Sequence, residues 1–141
     1  MIDTIVRRTV ELDAPAAEVW RLLTERSARQ SWFGTDIDLP ITPGAIGAAV
    51  DEDGAVRDVV VDVVEAGRAL GFTWWPTDAP ERATTVTFTI DDDGDRSRLT
   101  VVEAPVARTG GRSCSVSTDD PWSDRLLGLE LAVLARVGVP V

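Results

Sequence analysis

The 141-residue chain is expected to adopt an α+β fold: a curved antiparallel β-sheet of about six to seven strands, two short helices after strand one, and a long C-terminal helix over the concave face. Three observations carry this expectation. Ile5 to Leu12 alternates apolar and polar residues and runs at once into two short helical patterns, Asp13 to Thr24 and Glu25 to Phe33. Strand patterns separated by turn signals then return and continue to Glu103. Finally, Trp122, Leu126, Leu129, Val133 and Val137 recur at helical spacing near the C-terminus. Two helices between the first strand and the rest of a sheet can close one end of its curve and leave a hollow for the last helix to cover.

Each element has a local reason. Strand one, Thr4 to Leu12, places Val6, Val10 and Leu12 on one face with Arg8 in the same row, so one charged side chain points inward. Pro15 suits the first turn of a helix, where its missing N–H costs nothing, and Val19, Trp20, Leu22 and Leu23 supply that helix's buried side. Thr42-Pro43-Gly44 marks a turn, Ala45 to Val50 reads as a short strand, and Asp51 to Gly54 as a hairpin. Ala55 to Glu65 is the most β-branched segment and is expected to be central, with Val59, Val61 and Val63 on one face and Val56, Val60 and Val64 on the other. Leu70, Phe72 and Trp74 share one face of the next strand, which Pro76 ends. Thr84 to Ile90 and Arg98 to Glu103 form a hairpin around Asp91 to Asp95. The Gly-, Ser- and Thr-rich stretch from Pro105 to Thr118 reads as a loop long enough to act as a lid. Asp120-Pro121 is a good helix start, and Leu127, Leu131 and Leu134 are expected to widen the apolar face of the last helix.

Composition narrows the chemistry. With 44% hydrophobic and 27% charged residues the chain is ordinary globular material, read as one domain over residues 1–141. No apolar run is long enough to span a bilayer and the N-terminus lacks a signal-peptide layout, so a cytoplasmic protein is expected. The lone Cys114 cannot form an internal disulfide, which fits a reducing compartment. A formal net charge of -10 repels a nucleic-acid backbone, so nucleic acid is excluded as a partner. All 14 basic residues are arginine, and histidine and tyrosine are absent as well as lysine. Schiff-base chemistry, the commonest general base and the Ser-His and Cys-His nucleophile systems are thereby removed. Arginine as the only base, with abundant Ala, Val, Asp and Gly, suits a high-GC bacterial source.

The order strand, two short helices, about six strands and one long helix resembles the helix-grip fold of the SRPBCC superfamily, which includes START lipid-transfer domains, birch-pollen-allergen proteins and polyketide cyclases. Within it the chain is most similar to the branch of heat-shock-protein-ninety ATPase activator homologues. The resemblance rests on Ala14-Pro15, Val19-Trp20, Leu23-Thr24, Trp32-Phe33, Leu70-Gly71-Phe72-Thr73-Trp74, Val86-Thr87-Phe88, Leu99-Thr100-Val101-Val102-Glu103 and Trp122, which together cover nearly the whole chain. The family has no universal catalytic motif, so the resemblance implies fold rather than chemistry. Two departures stand out: the chain has no lysine, and its last helix ends within a few residues of the last leucine.

Two candidate sites follow. In this fold the second helix, the central strands and the start of the last helix converge on the hollow, so Trp32, Phe33, Phe72, Trp74, Phe88 and Trp122 either line a ligand pocket or fill the core. The resemblance also makes the first and last strands neighbours, which implies a cross-strand ion pair between Arg8 and Glu103, either anchoring a polar ligand group or serving as a structural bridge. Trp75, on the opposite face from Trp74, is either a surface residue or part of a homodimer contact. The acidic runs Asp51 to Asp53 and Asp91 to Asp95 lack calcium-loop spacing and read as solvated turns, so neither metal nor cofactor is expected. Gly110-Gly111 reads as a flexible loop and Cys114 as incidental.

The preferred function is a binding protein for a hydrophobic or aromatic small molecule, with no catalytic residue. An enzyme of the polyketide cyclase, aromatase or hydrolase kind is the second reading, and a co-chaperone-like interaction domain the third. A deep apolar cavity favours the first, a carboxylate reaching into it near water the second, and a filled cavity with an exposed apolar patch the third.

Overall fold

The structure, a computed structural model, describes residues 3–30, 32–33, 36–51, 53–106, 114–116 and 121–137. Strand β1 (Asp3–Leu12) leads into helices α1 (Ala16–Thr24) and α2 (Arg26–Gln30). Seven strands follow: β2 (Asp36–Asp38), β3 (Ile46–Val50), β4 (Val56–Glu65), β5 (Ala69–Pro76), β6 (Thr84–Asp93), β7 (Arg96–Pro105) and β8 (Cys114–Val116). Helix α3 (Pro121–Val137) comes last. The strands form one sheet in the order β2-β3-β4-β5-β6-β7-β1-β8. Neighbours are antiparallel except β1 and β8, which run parallel. This is the helix-grip α+β architecture the residue pattern predicts, with β2 and β8 as short additions at its two edges.

Burial follows the alternation. Val10 and Leu12 on β1, Phe72 and Trp74 on β5, Val86 and Phe88 on β6, and Leu99 and Val101 on β7 face the concave side and are buried. Trp122, Leu126, Leu129 and Val133 of α3 are buried with them. Each such side chain contributes about 1.5–3 kcal/mol through the apolar area it removes from water. Gly128 permits close approach of α3, since a Cβ there would stand 3.3 Å from the carbonyl oxygen of Trp32.

Four expectations need correction. The second helix stops at Gln30 rather than Phe33, although Trp32 and Phe33 still donate their backbone N–H groups to the Arg29 carbonyl. In β4 the register slips between Val61 and Val63, a bulge that turns Val63 outward, 41% exposed, and Val64 toward the core. Strict alternation cannot survive one extra residue. Leu127 and Leu131 are 55% and 58% exposed, so they form the solvent side of α3 instead of widening its buried face. The stretch from Pro105 to Thr118 is not loop throughout, because Cys114–Val116 pairs with Asp3–Ile5. Its Gly110-Gly111 and the side chains of Cys114 and Leu134 lie outside the described residues.

Polar contacts tie the first helices to the sheet. Arg29, only 3% exposed, donates to the carbonyls of Leu23 at 2.9 Å and Ile37 at 2.7 Å, closing the end of α1 and holding β2. Burial and then the nearby Arg26 charge hold its guanidinium below the ordinary arginine value. Asp36 accepts hydrogen bonds from Gln30 at 3.0 Å and from Arg26 at 3.0 Å. These two partners, Gln30 first, hold the Asp36 carboxyl below its usual range.

Two outcomes are expected. A Cβ on Gly47 would overlap the backbone carbonyl oxygen of Asp38, so Gly47→Ala destabilises the fold by about 1–3 kcal/mol in urea unfolding through overpacking at the β2–β3 edge. Because the Asp36 pKa is depressed on folding, its contribution is present at neutral pH and is lost as pH falls through the folded-state value. Asp36→Asn therefore reduces the loss of stability between about pH 7 and about pH 3, read from urea midpoints.

Candidate functional site

The ends of three adjacent strands and the first turn of α3 meet at one carboxylate. Trp74 pairs with Thr84 across β5 and β6, and Glu103 on β7 stands opposite Val86, so all three side chains reach the same corner of the concave face. The Trp74 indole donates to Glu103 Oε2 at 2.9 Å and also lies 3.0 Å from the Thr84 hydroxyl oxygen. That hydroxyl donates to the same Oε2 at 2.6 Å. The Trp122 indole donates to Oε1 at 2.8 Å. Of the roughly four acceptor positions on a carboxylate, three are engaged by described residues, two on Oε2 and one on Oε1.

Two arginines cover this corner. Arg125 of α3 donates Nε to the Phe33 carbonyl at 3.1 Å, and its guanidinium lies 4.6 Å from the Phe33 ring centre and 4.7 Å from that of Trp122. Arg57 of β4 lies 4.3 Å from the Trp74 ring centre and pairs with Asp51 at 3.2 Å. A cation against an indole face draws electron density from the ring and strengthens its N–H as a donor. Both arginines therefore reinforce the bonds that hold Glu103.

The six aromatic residues singled out by sequence do converge, yet as packing. Trp32, Phe33, Phe72, Trp74, Phe88 and Trp122 are each 5% exposed or less, and their ring centres lie 5.2 to 6.3 Å apart in seven mostly edge-to-face contacts. The rings fill the space between α3 and the sheet against one another. Trp32 is further fixed by its indole bond to the Leu22 carbonyl at 2.9 Å.

The Arg8–Glu103 ion pair is not formed among the described residues. The antiparallel register explains this: Val6, not Arg8, stands opposite Glu103, and Arg8 faces Val101 one inward step away. Arg8 instead donates to the Ser123 hydroxyl at 3.2 Å and to the Arg7 carbonyl at 2.8 Å, joining β1 to the start of α3. Thr84, Arg57 and Arg125 were not singled out from sequence. Arg125 was within reach, since it follows Trp122 by three residues on the same helix and so shares its face. Thr84 and Arg57 carry no such signal. The acidic turns behave as turns: Asp53 accepts from the Ala55 N–H and Asp92 from the Gly94 N–H, each at 3.0 Å. No group of three or more potential metal ligands occurs among the described residues. No described helix is long and apolar enough to cross a membrane.

Glu103→Gln keeps the size of the side chain but turns an amide N–H₂ toward an indole or hydroxyl donor. It is expected to lower stability by about 1–3 kcal/mol in urea unfolding and to alter the near-ultraviolet circular dichroism of the tryptophans. Thr84→Val removes one bond and is expected to cost less, about 1 kcal/mol.

Comparison with known proteins places this geometry in a family. Comparison with curated proteins finds no significant match. Among solved structures, DynU16, a putative protein in the dynemicin biosynthetic locus, is 27% identical with a TM-score of 0.71 over 96% of this chain, which spans only 48% of DynU16. Protein MLL2253 from Mesorhizobium loti is 22% identical, with a TM-score of 0.75, over 96% of this chain and 99% of that one. The Aha1 dimer from Colwellia psychrerythraea, solved in solution, is 15% identical, with a TM-score of 0.70, over 92% of this chain and 95% of that one. A family model described as activator of Hsp90 ATPase homolog 1-like protein matches residues 13–126, from the turn before α1 to the buried Leu126 of α3. The chain belongs to the family of activator of Hsp90 ATPase homolog 1-like proteins.

Proposed function

We propose that the protein binds a hydrophobic or aromatic small molecule between the concave face of the sheet and α3, with no catalytic step of its own. The observation that carries this reading is Glu103, a carboxylate kept among tryptophans with two described donors on Oε2 and one on Oε1. A half-buried carboxylate held by three donors beside aromatic rings supplies the kind of placed polar group that orients a bound ligand. A ligand with an aromatic body and one O–H or N–H donor matches the corner. Because the Trp122 ring occupies the space beside Glu103, binding involves displacement of the first turn of α3. The description of DynU16 as belonging to a biosynthetic locus supports a small-molecule role.

Catalysis by Glu103 is the weaker alternative, since three of its acceptor positions are already committed to Trp74, Thr84 and Trp122. A protein-interaction role is favoured by two separate observations, the rings that fill the space under α3 and the exposed aliphatic residues on the outer face of the sheet.

The test is a tryptophan-fluorescence titration with aromatic compounds in matched pairs, with and without a phenolic hydroxyl, on the protein and on Glu103→Gln. Trp74 is unsuitable for truncation because it is 1% exposed and holds Glu103. Saturable quenching stronger for the hydroxylated partner, and weakened about tenfold in Glu103→Gln, is the expected result for loss of one charge-assisted bond. A folded protein that gives no saturable response, or equal affinity in the variant, would sink the proposal.

A further inference from the structure

We propose that the outer face of β3 and β4 is a docking surface for a segment of a partner protein that carries basic and apolar side chains on one side. The outer face of this sheet is divided into two chemically distinct halves. From β5 to β1 it presents threonines, with hydroxyl contacts of 3.2 Å between Thr73 and Thr85 and between Thr9 and Thr100. That is the polar exterior an antiparallel sheet normally shows to water. The β3–β4 half is aliphatic instead. Ile46 is 75% exposed, Val56 50%, Val50 44% and Val63 41%. Val50 stands directly opposite Val56, so two of these side chains form one cross-strand row.

The charges within and around this aliphatic half have one sign. Asp58 lies between Ala48 and Trp75 in its row, Asp38 opposes Ala48 from β2, and Asp62 sits at the bulge next to Val63. No cation pairs with any of the three among the described residues. The arginine of β4, Arg57, points to the concave side against Trp74, and Arg26 is committed to Asp36 at the edge. A second copy of this chain would bring the same aspartates and another net charge of -10 against the face, and an anionic membrane would repel it in the same way. A basic amphipathic segment satisfies both properties: its apolar side chains cover the valines and Ile46, and its cations meet the aspartates.

The experiment titrates the ¹⁵N-labelled protein with a synthetic amphipathic helix of Lys and Leu and, separately, with its Glu/Leu twin, following backbone amide shifts. Saturable shifts are expected across 46–50 and 56–63 with the basic peptide only. Ile46→Ser with Val56→Ser, both at exposed positions, is expected to weaken binding about tenfold or more, and Asp58→Asn to weaken it less and to reduce its salt dependence. Shifts as large at the acidic turn 91–95 as at β3–β4, unchanged by the serine variants, would reduce the effect to general charge attraction and overturn the proposal. Concentration-dependent shifts on β3–β4 without peptide would identify a second copy as the occupant and overturn it equally.

Discussion

The carboxylate of Glu103 joins parts of the molecule that the chain separates widely. One oxygen receives Trp74 from β5 and the Thr84 hydroxyl from β6, and the other receives Trp122 from α3, so three strands and the closing helix share a single anion. Without these donors the half-buried carboxylate would lie beside aromatic rings with part of its hydration replaced by nothing, which is unfavourable. Without the carboxylate, two indole N–H groups would lose their acceptor. The position of the first turn of α3 relative to the sheet, and with it the packing of Trp122 on Phe33 and Phe88 at 5.5 Å, depends on this mutual need.

Aromatic packing and the polar corner act together. The edge-to-face rings supply apolar burial and fix distances, but dispersion is not directional enough to select one setting of α3 over another close to it. Hydrogen bonds to Glu103, the Arg125 bond to the Phe33 carbonyl and the Arg8 bond to Ser123 supply that selection. All three engage the first two turns of α3. The same turns therefore carry the polar attachment of the helix to β1, to β7 and to the segment after α2.

The two faces of the sheet have separate chemistry. On the concave side Phe72, Trp74, Phe88 and Trp122 are covered by one another, whereas the outer side of β3 and β4 leaves valines and an isoleucine in water beside aspartates that pair with no cation among the described residues. One strand serves both: β4 sends Val59 and Val61 inward and Val56 and Asp58 outward, and the bulge after Val61 adds Val63 to the outer set. A ligand site inside and a docking face outside can therefore coexist on one domain without sharing a side chain.

Much of the fold was legible in the residue pattern because it depends on local periodicity. Alternation along β1, β5, β6 and β7 and the Trp122-Leu126-Leu129-Val133 spacing each specify a face within one element, and those faces are buried as expected. The convergence of six aromatics was also legible once the fold was inferred. Register was not: whether Arg8 or Val6 opposes Glu103 depends on a shift of two residues between strands far apart in sequence, and both arrangements keep the same side chains inward. The bulge in β4, the β1–β8 pairing and the meeting of Arg57, Thr84 and Arg125 around two tryptophans depend on the same long-range pairing. Local sequence thus determined the longer elements and the apolar row that each of them buries. Tertiary structure alone decided which polar groups meet inside them, because hydrogen bonds act over a few ångströms between residues that only the completed sheet brings together.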